Sequence, residues 1–206
     1  MKIIRDGVYY AAGFTALGAA FSYLISLWIG LPVLLLAIFC LYFFRDPERI
    51  PPAGDLMVSP ADGKVVAIRQ LDESRTRISI FLNIFDVHVN RTPISGRVNE
   101  ILYRRGKFLV ASHEAASLEN EQNTLVVQGE RGTVVCRQIA GLIARRIICY
   151  KQAGDSVGPA ERIGYIKFGS RVDVVFGPEW VPTVKVGERV SAGVSVLAKP
   201  TLEGPL

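Results

Sequence analysis

Three side chains in this sequence could carry out chemistry on the chain itself: Ser170, His88 and Asp62. Ser170 follows Gly169 within Ile163–Phe176, a stretch of alternating apolar residues. Read as strands, it sets Ile166 and Phe168 on one face, bends at Gly169, and continues with Val172, Val174 and Phe176. Ser170 shares their parity, so its hydroxyl is expected to point inward. A preceding glycine adopts backbone angles closed to other residues and lets the hydroxyl approach the Gly169 carbonyl. Attack there would convert the amide to an ester. Elimination would then cut the chain between Gly169 and Ser170 and leave Ser170 as an amino-terminal pyruvoyl group. Taken alone, a Gly-Ser pair more often marks a bulge or a turn.

Such chemistry needs a base for the hydroxyl, a stabilised oxyanion and loss of a proton from the serine α-carbon. The chain has only two histidines. His88 ends the apolar run before Asn90-Arg91-Thr92-Pro93, where a strand gives way to a loop, and is the stronger candidate base. His113 lies in a more polar segment. Asp62 belongs to Ala61-Asp62-Gly63, and an Asp-Gly pair is also an ordinary turn. Lys167 and Arg171 flank the serine with opposite parity and are expected to face solvent.

The elements that must position these groups read mainly as strands: Lys64–Arg69, Arg77–Ile84, Arg97–Tyr103, Thr124–Gln128, Thr133–Ile139 and Ile143–Cys149. Leu109–Asn120 reads as irregular or briefly helical. The expectation is a mainly β (α+β) fold, a compact β-sandwich or barrel-like domain over residues 56–206. Ahead of it lie an N-terminal transmembrane helical hairpin, residues 1–46, and a proline-rich linker, 47–55. The tail Val184–Leu197 repeats a Val-x-x-Gly cadence like that of lipoyl- and biotinyl-type carriers. A membrane-anchored adaptor of that kind, without enzymatic activity, is the alternative reading, but the expected hairpin tips carry no attachment lysine.

No charged residue occurs from Val8 to Phe44. One helix of that length would measure about 55 Å against a bilayer core of about 30 Å. Gly30-Leu31-Pro32 predicts a break into two spanning helices, about 8–29 and 32–44. Lys2 and Arg5 before the hairpin, and Arg45 and Arg49 after it, are expected to keep both ends, and the domain that follows, on the cytoplasmic side of the cell (inner) membrane. The net charge is +5, and no basic helix or stacking-aromatic motif points to nucleic acid. Cys40, Cys136 and Cys149 are too few and too scattered for a disulfide framework or a metal site.

Phe168-Gly169-Ser170-Arg171-Val172-Asp173, with Phe44-Arg45-Asp46-Pro47, Ser59-Pro60-Ala61-Asp62-Gly63 and Phe85-Asp86-Val87-His88, resembles the short, pyruvoyl-dependent form of the phosphatidylserine decarboxylase proenzyme family. The resemblance implies a self-cleaved enzyme with a β chain of residues 1–169 and an α chain of 170–206, held together as a heterodimer and open to further assembly. It implies that Ser170 becomes the pyruvoyl cofactor, which forms a Schiff base with the amine of membrane phosphatidylserine, and that the product is phosphatidylethanolamine. Asp62 and His88 would act with Ser170 as a triad. Longer relatives carry two histidines three apart in the matching segment, whereas here Arg91 stands in the second place. Asn120-Glu121-Gln122-Asn123 also looks like a family motif.

Overall fold

The computed structural model describes residues 2–109, 116–141, 146–167 and 169–201. The chain divides into two compact units, Met1–Glu48 and Arg49–Leu206.

In the first unit, helices α1 (Arg5–Leu24) and α2 (Leu27–Phe43) pack side by side, and Lys2–Ile3 pairs with Arg45–Asp46 at the open end. The break falls at Ile25-Ser26, not at Gly30-Leu31-Pro32. Ser26 caps α2, its Oγ accepting the Trp28 N–H at 3.3 Å. Gly30 is instead a contact point between the helices. A Cβ there would lie 1.9 Å from Ser22 Oγ and 2.5 Å from the Gly18 carbonyl oxygen. The glycine therefore lets two backbones approach, and Pro32 is carried within α2.

The expectation of a transmembrane hairpin is corrected as well: no described helix is long and apolar enough to cross a membrane. α2 is apolar throughout, but its 17 residues reach only about 26 Å. α1 is longer, yet it opens with Arg5-Asp6 and interleaves glycine, alanine, threonine and tyrosine with its larger apolar residues. What the hairpin does present is an exposed apolar tip of Tyr23, Leu24, Ile25, Leu27 and Trp28.

The second unit is mainly β. Its largest sheet has eight strands in the order Ser156–Val157, Gly96–Arg104, Gln122–Gly129, Gly132–Ala140, Ser170–Phe176, Thr76–Leu82, Gly63–Gln70, Arg189–Val190. Every neighbouring pair is antiparallel. A three-stranded sheet joins Ile147–Cys149, Arg162–Ile166 and Val89–Arg91, and another joins Trp180–Pro182, Val196–Pro200 and Met57–Val58. Alternation sends Val172, Val174 and Phe176, with Ile78, Ile80, Leu82, Leu125, Val134 and Cys136 from other strands, into one core. Burial pushes the Cys136 thiol up to about 12, leaving an inert buried thiol.

The strands match the sequence reading to within a few residues. Of Ile143–Cys149 the described part is the strand Ile147–Cys149, and Leu109–Asn120 contains the short helix Ala116–Glu119. His113 lies outside the described residues. Lys167 and Arg171 do not face solvent as expected: they are 9% and 1% exposed. Alternation does turn Arg171 away from the Ser170 face, but the strand Ser170–Phe176 is covered on both faces, every residue of it being buried.

If Gly30 is a contact and not a hinge, Gly30→Ala should weaken the helix pair by about 1–3 kcal/mol. Earlier loss of far-ultraviolet helical signal on heating would report it. Gly13→Ala, where a Cβ meets nothing within 4 Å, is the matched control and should leave the melt unchanged or raise it slightly.

Candidate active site

At Gly169 the chain leaves one sheet and joins another. It arrives from Arg162–Ile166 of the three-stranded sheet and departs as Ser170–Phe176, the fifth strand of the eight-stranded sheet. The turn requires φ +61° at Gly169, while a Cβ there would meet nothing within 4 Å. Backbone conformation, not lack of room, demands glycine. Ser170 sits between Leu82 and Ala140 in register and is fully buried. Its Oγ has no hydrogen-bond partner among the described residues, which costs about 1–3 kcal/mol for a buried hydroxyl. An orphaned hydroxyl next to a left-handed glycine fits a nucleophile kept ready for the neighbouring carbonyl.

His88 is carried to this junction by strand register. Val89 pairs with Tyr165, and the Ile166 N–H donates to the His88 carbonyl at 3.3 Å. From there the imidazole Nε2 accepts the Gly169 N–H at 3.3 Å. Nδ1 lies 2.9 Å from the Asp86 carbonyl oxygen. Together these bonds select the neutral tautomer with hydrogen on Nδ1 and a basic lone pair on Nε2 beside the Gly169–Ser170 bond. The ring is 2% exposed.

The loop before His88 is closed by its own side chains. Asn83 Oδ1 accepts the Phe85 N–H, and Asp86 Oδ2 accepts the Asn83 N–H, at 2.8 and 2.9 Å. Asp86 also forms an ion pair with Arg189. Asp86 thus fixes the loop with its carboxylate and orients the imidazole with its carbonyl, a role the sequence reading missed. For the carboxylate the available signal was its place three residues after Asn83; for the carbonyl there was none.

Asp62 accepts Arg49 Nη2 at 2.9 Å on Oδ2 and the Ala192 N–H at 2.7 Å on Oδ1. It therefore ties the linker to the C-terminal hairpin. The Arg91 N–H donates to the Pro60 carbonyl at 2.9 Å, which sets the Asp62 turn beside the strand that follows His88. Arg91 itself is buried, with Nη1 donating to the Ala160 carbonyl at 3.0 Å.

A chain of buried amides was also missed. Asn123 Nδ2 donates to Gln138 Oε1 at 3.0 Å, and Gln138 Nε2 donates to Asn90 Oδ1 at 2.8 Å. Gln138 pairs with Val172, on the face that Ser170 shares, and Asn90 Nδ2 is buried without an acceptor among the described residues. Asn120 serves the backbone instead. Its amide grips both backbone groups of Leu109 and the carbonyl of Ala140, Ser170's partner in the ladder.

Comparison with known proteins agrees with the local motifs over a much longer span. The sequence model of the family described as phosphatidylserine decarboxylase matches residues 36–198. The phosphatidylserine decarboxylase proenzyme of Solibacter usitatus (strain Ellin6076) is 56% identical over 199 residues, covering 97% of this chain and 97% of the relative.

Two substitutions separate the parts of the junction. His88→Ala should slow any cutting before Ser170 by about 10²–10⁴-fold, the usual worth of a positioned base. Gly169→Ala places a side chain in left-handed backbone at a cost of about 1–2 kcal/mol, so cutting should slow while the thermal midpoint falls only slightly. Denaturing gels over time measure the first effect, and the same gels with a melt measure the second.

Proposed function

The chain belongs to the phosphatidylserine decarboxylase family, and on that premise we propose that it cuts itself before Ser170 and uses the resulting pyruvoyl group to convert phosphatidylserine to phosphatidylethanolamine. The observation that carries this reading is the buried, unpartnered Ser170 hydroxyl at a junction whose amide N–H rests on the lone pair of His88.

The self-processing steps follow from the residues at the junction. His88 Nε2 gives up the long bond from the Gly169 N–H and accepts the Ser170 hydroxyl proton as Oγ bonds to the Gly169 carbonyl carbon. The C–N bond then breaks, the freed amine takes a proton, and an ester remains. Loss of the Ser170 α-proton breaks the Cβ–Oγ bond and releases Gly169 as a carboxylate. Hydrolysis of the remaining enamine expels ammonia and leaves a keto group whose oxygen comes from water. Asp62, paired with Arg49 and the Ala192 N–H, supports the imidazole through the backbone by holding the turn beside the strand that follows His88.

When formed, the pyruvoyl group supplies an electrophilic carbonyl that takes up the substrate amine and accepts the electron pair released with carbon dioxide. The chain around it holds that carbonyl in a water-poor setting, with His88 at the junction and the Asn90–Gln138–Asn123 amides on the face that residue 170 shares.

The substrate's two acyl chains keep it in a bilayer, and the exposed tip Tyr23–Trp28 of the helical hairpin suits the same surface. We assign the hairpin to tip-first insertion on the cytoplasmic face of the inner membrane, with neither helix crossing and with Lys2, Arg5 and Arg45 among the head groups. After the cut, the strand Ser170–Phe176 remains laddered between Thr76–Leu82 and Gly132–Ala140, so the two pieces persist as a heterodimer.

Intact masses of purified protein test the reading. Wild type should give two chains dividing at residues 169 and 170, the smaller one blocked to amino-terminal sequencing, and Ser170→Ala should give one. Borohydride added with phosphatidylserine should abolish decarboxylation and fix substrate mass onto the small chain. An active, single, uncut chain would refute the proposal.

A further inference from the structure

The face of the central strand that turns away from Ser170 holds a buried charged cluster that the chemistry above does not use. Arg171 Nε donates to Asp173 Oδ1 at 2.7 Å, and its Nη2 donates to Ser79 Oγ at 2.6 Å. Ser117 Oγ donates to Asp173 Oδ2 at 2.9 Å, and Arg77 Nε lies 3.9 Å from the same oxygen. Arg171 and Asp173 are 1% and 0% exposed. Burying a guanidinium and a carboxylate is expensive, and well-packed apolar residues would commonly hold the same sheet at least as firmly. What such a cluster contributes is geometry more than stability.

The position of the cluster indicates what that geometry is for. Arg171 is the second residue after the proposed cut, next to the chain end that the cut creates at residue 170. Its partner Asp173 lies on the small piece, whereas Ser79, which it also bonds, and Ser117 and Arg77, which face Asp173, belong to the piece that ends at Gly169. In the uncut chain, residue 170 is held by peptide bonds on both sides. Once the chain is cut, residue 170 is a chain end, and its conversion removes the amide nitrogen as ammonia. That end has then lost its backbone donor, and strand ends so released tend to fray. Two residues later, Asp173 pairs with Ser79 in the ladder, so the guanidinium spans its own strand and the neighbouring strand of the other piece.

We propose that Arg171, locked by Asp173 and Ser79, is the positioning residue that holds the newly made chain end so that its keto group stays aimed at substrate. This rests on the Ser170 reading above. The clamp is needed only after cutting, and that separates it from a merely structural role.

The test uses the full chain with Arg171→Met, which fills the space without charge, and Arg171→Lys, which can reach Asp173 or Ser79 but not both. Cutting, followed by intact mass, should proceed at about the wild-type rate in both. In the cut protein, kcat on phosphatidylserine in mixed micelles should fall by about 10- to 100-fold for Arg171→Met, since a misplacement of one ångström can cost about 100-fold. KM should hold, and Arg171→Lys should recover part of the loss. Ser79→Ala removes one bond at little risk to the fold and should show the same split on a smaller scale. Unchanged kcat in cut Arg171→Met and Ser79→Ala would overturn the clamp while leaving the Ser170 reading intact. Equal losses of cutting and turnover would also overturn it, by assigning the cluster to folding alone. Wild type found active and uncut would sink both proposals together.

Discussion

The arrangement depends on one backbone constraint: the chain must change sheets at Gly169. A strand can share hydrogen bonds with only two neighbours, and the neighbours on either side of this point differ. Arg162–Ile166 is flanked by Ile147–Cys149 and Val89–Arg91, whereas Ser170–Phe176 is flanked by Thr76–Leu82 and Gly132–Ala140. The residue at the handover belongs to neither ladder, so its N–H needs a partner from elsewhere. The His88 imidazole takes that place. The same geometry that satisfies a stray amide therefore puts a base beside the peptide bond that follows it.

Much of this was legible in the sequence because strand parity is a strong signal. The inward direction of Ser170, the bend at Gly169 and the central apolar strand all follow from alternation and a single glycine. Parity assigns a side chain to a face but does not say whether that face is wet. Arg171 was expected in water because it alternates with Val172, yet the short helix Ala116–Glu119 brings Ser117 over Asp173, and no local pattern near residue 171 announces a cover from so far along the chain. The orientation of His88 was obscured for a similar reason. It comes from a backbone carbonyl, that of Asp86, and carbonyls carry no sequence signature.

The helical hairpin shows how one residue type can signal two opposite things. Gly30 next to Pro32 suggested a break, whereas the chain turns at Ser26, where a hydroxyl can cap the second helix. Glycine here permits close contact, with Ser22 and Gly18 in the space a side chain would need. An uncharged run fixes that the segment is apolar. Where it folds back is decided by caps and contacts, and the resulting helices are too short or too mixed to cross a bilayer.

The placement of Ser170–Phe176 as an interior strand, with partners from earlier sequence on both flanks, gives a severed form of this protein a memory. While the polymer is continuous, that strand finds its slot by an intramolecular search whose cost grows only slowly with loop length. Once severed and unfolded, it would have to find the same slot as a separate molecule, at a rate set by concentration and against other exposed edges. The working form would then be reached by way of its precursor and could not readily be rebuilt from its own pieces, so its lifetime would be governed by how slowly the smaller piece escapes, held also by its strands against Gly63–Gln70 and Met57–Val58.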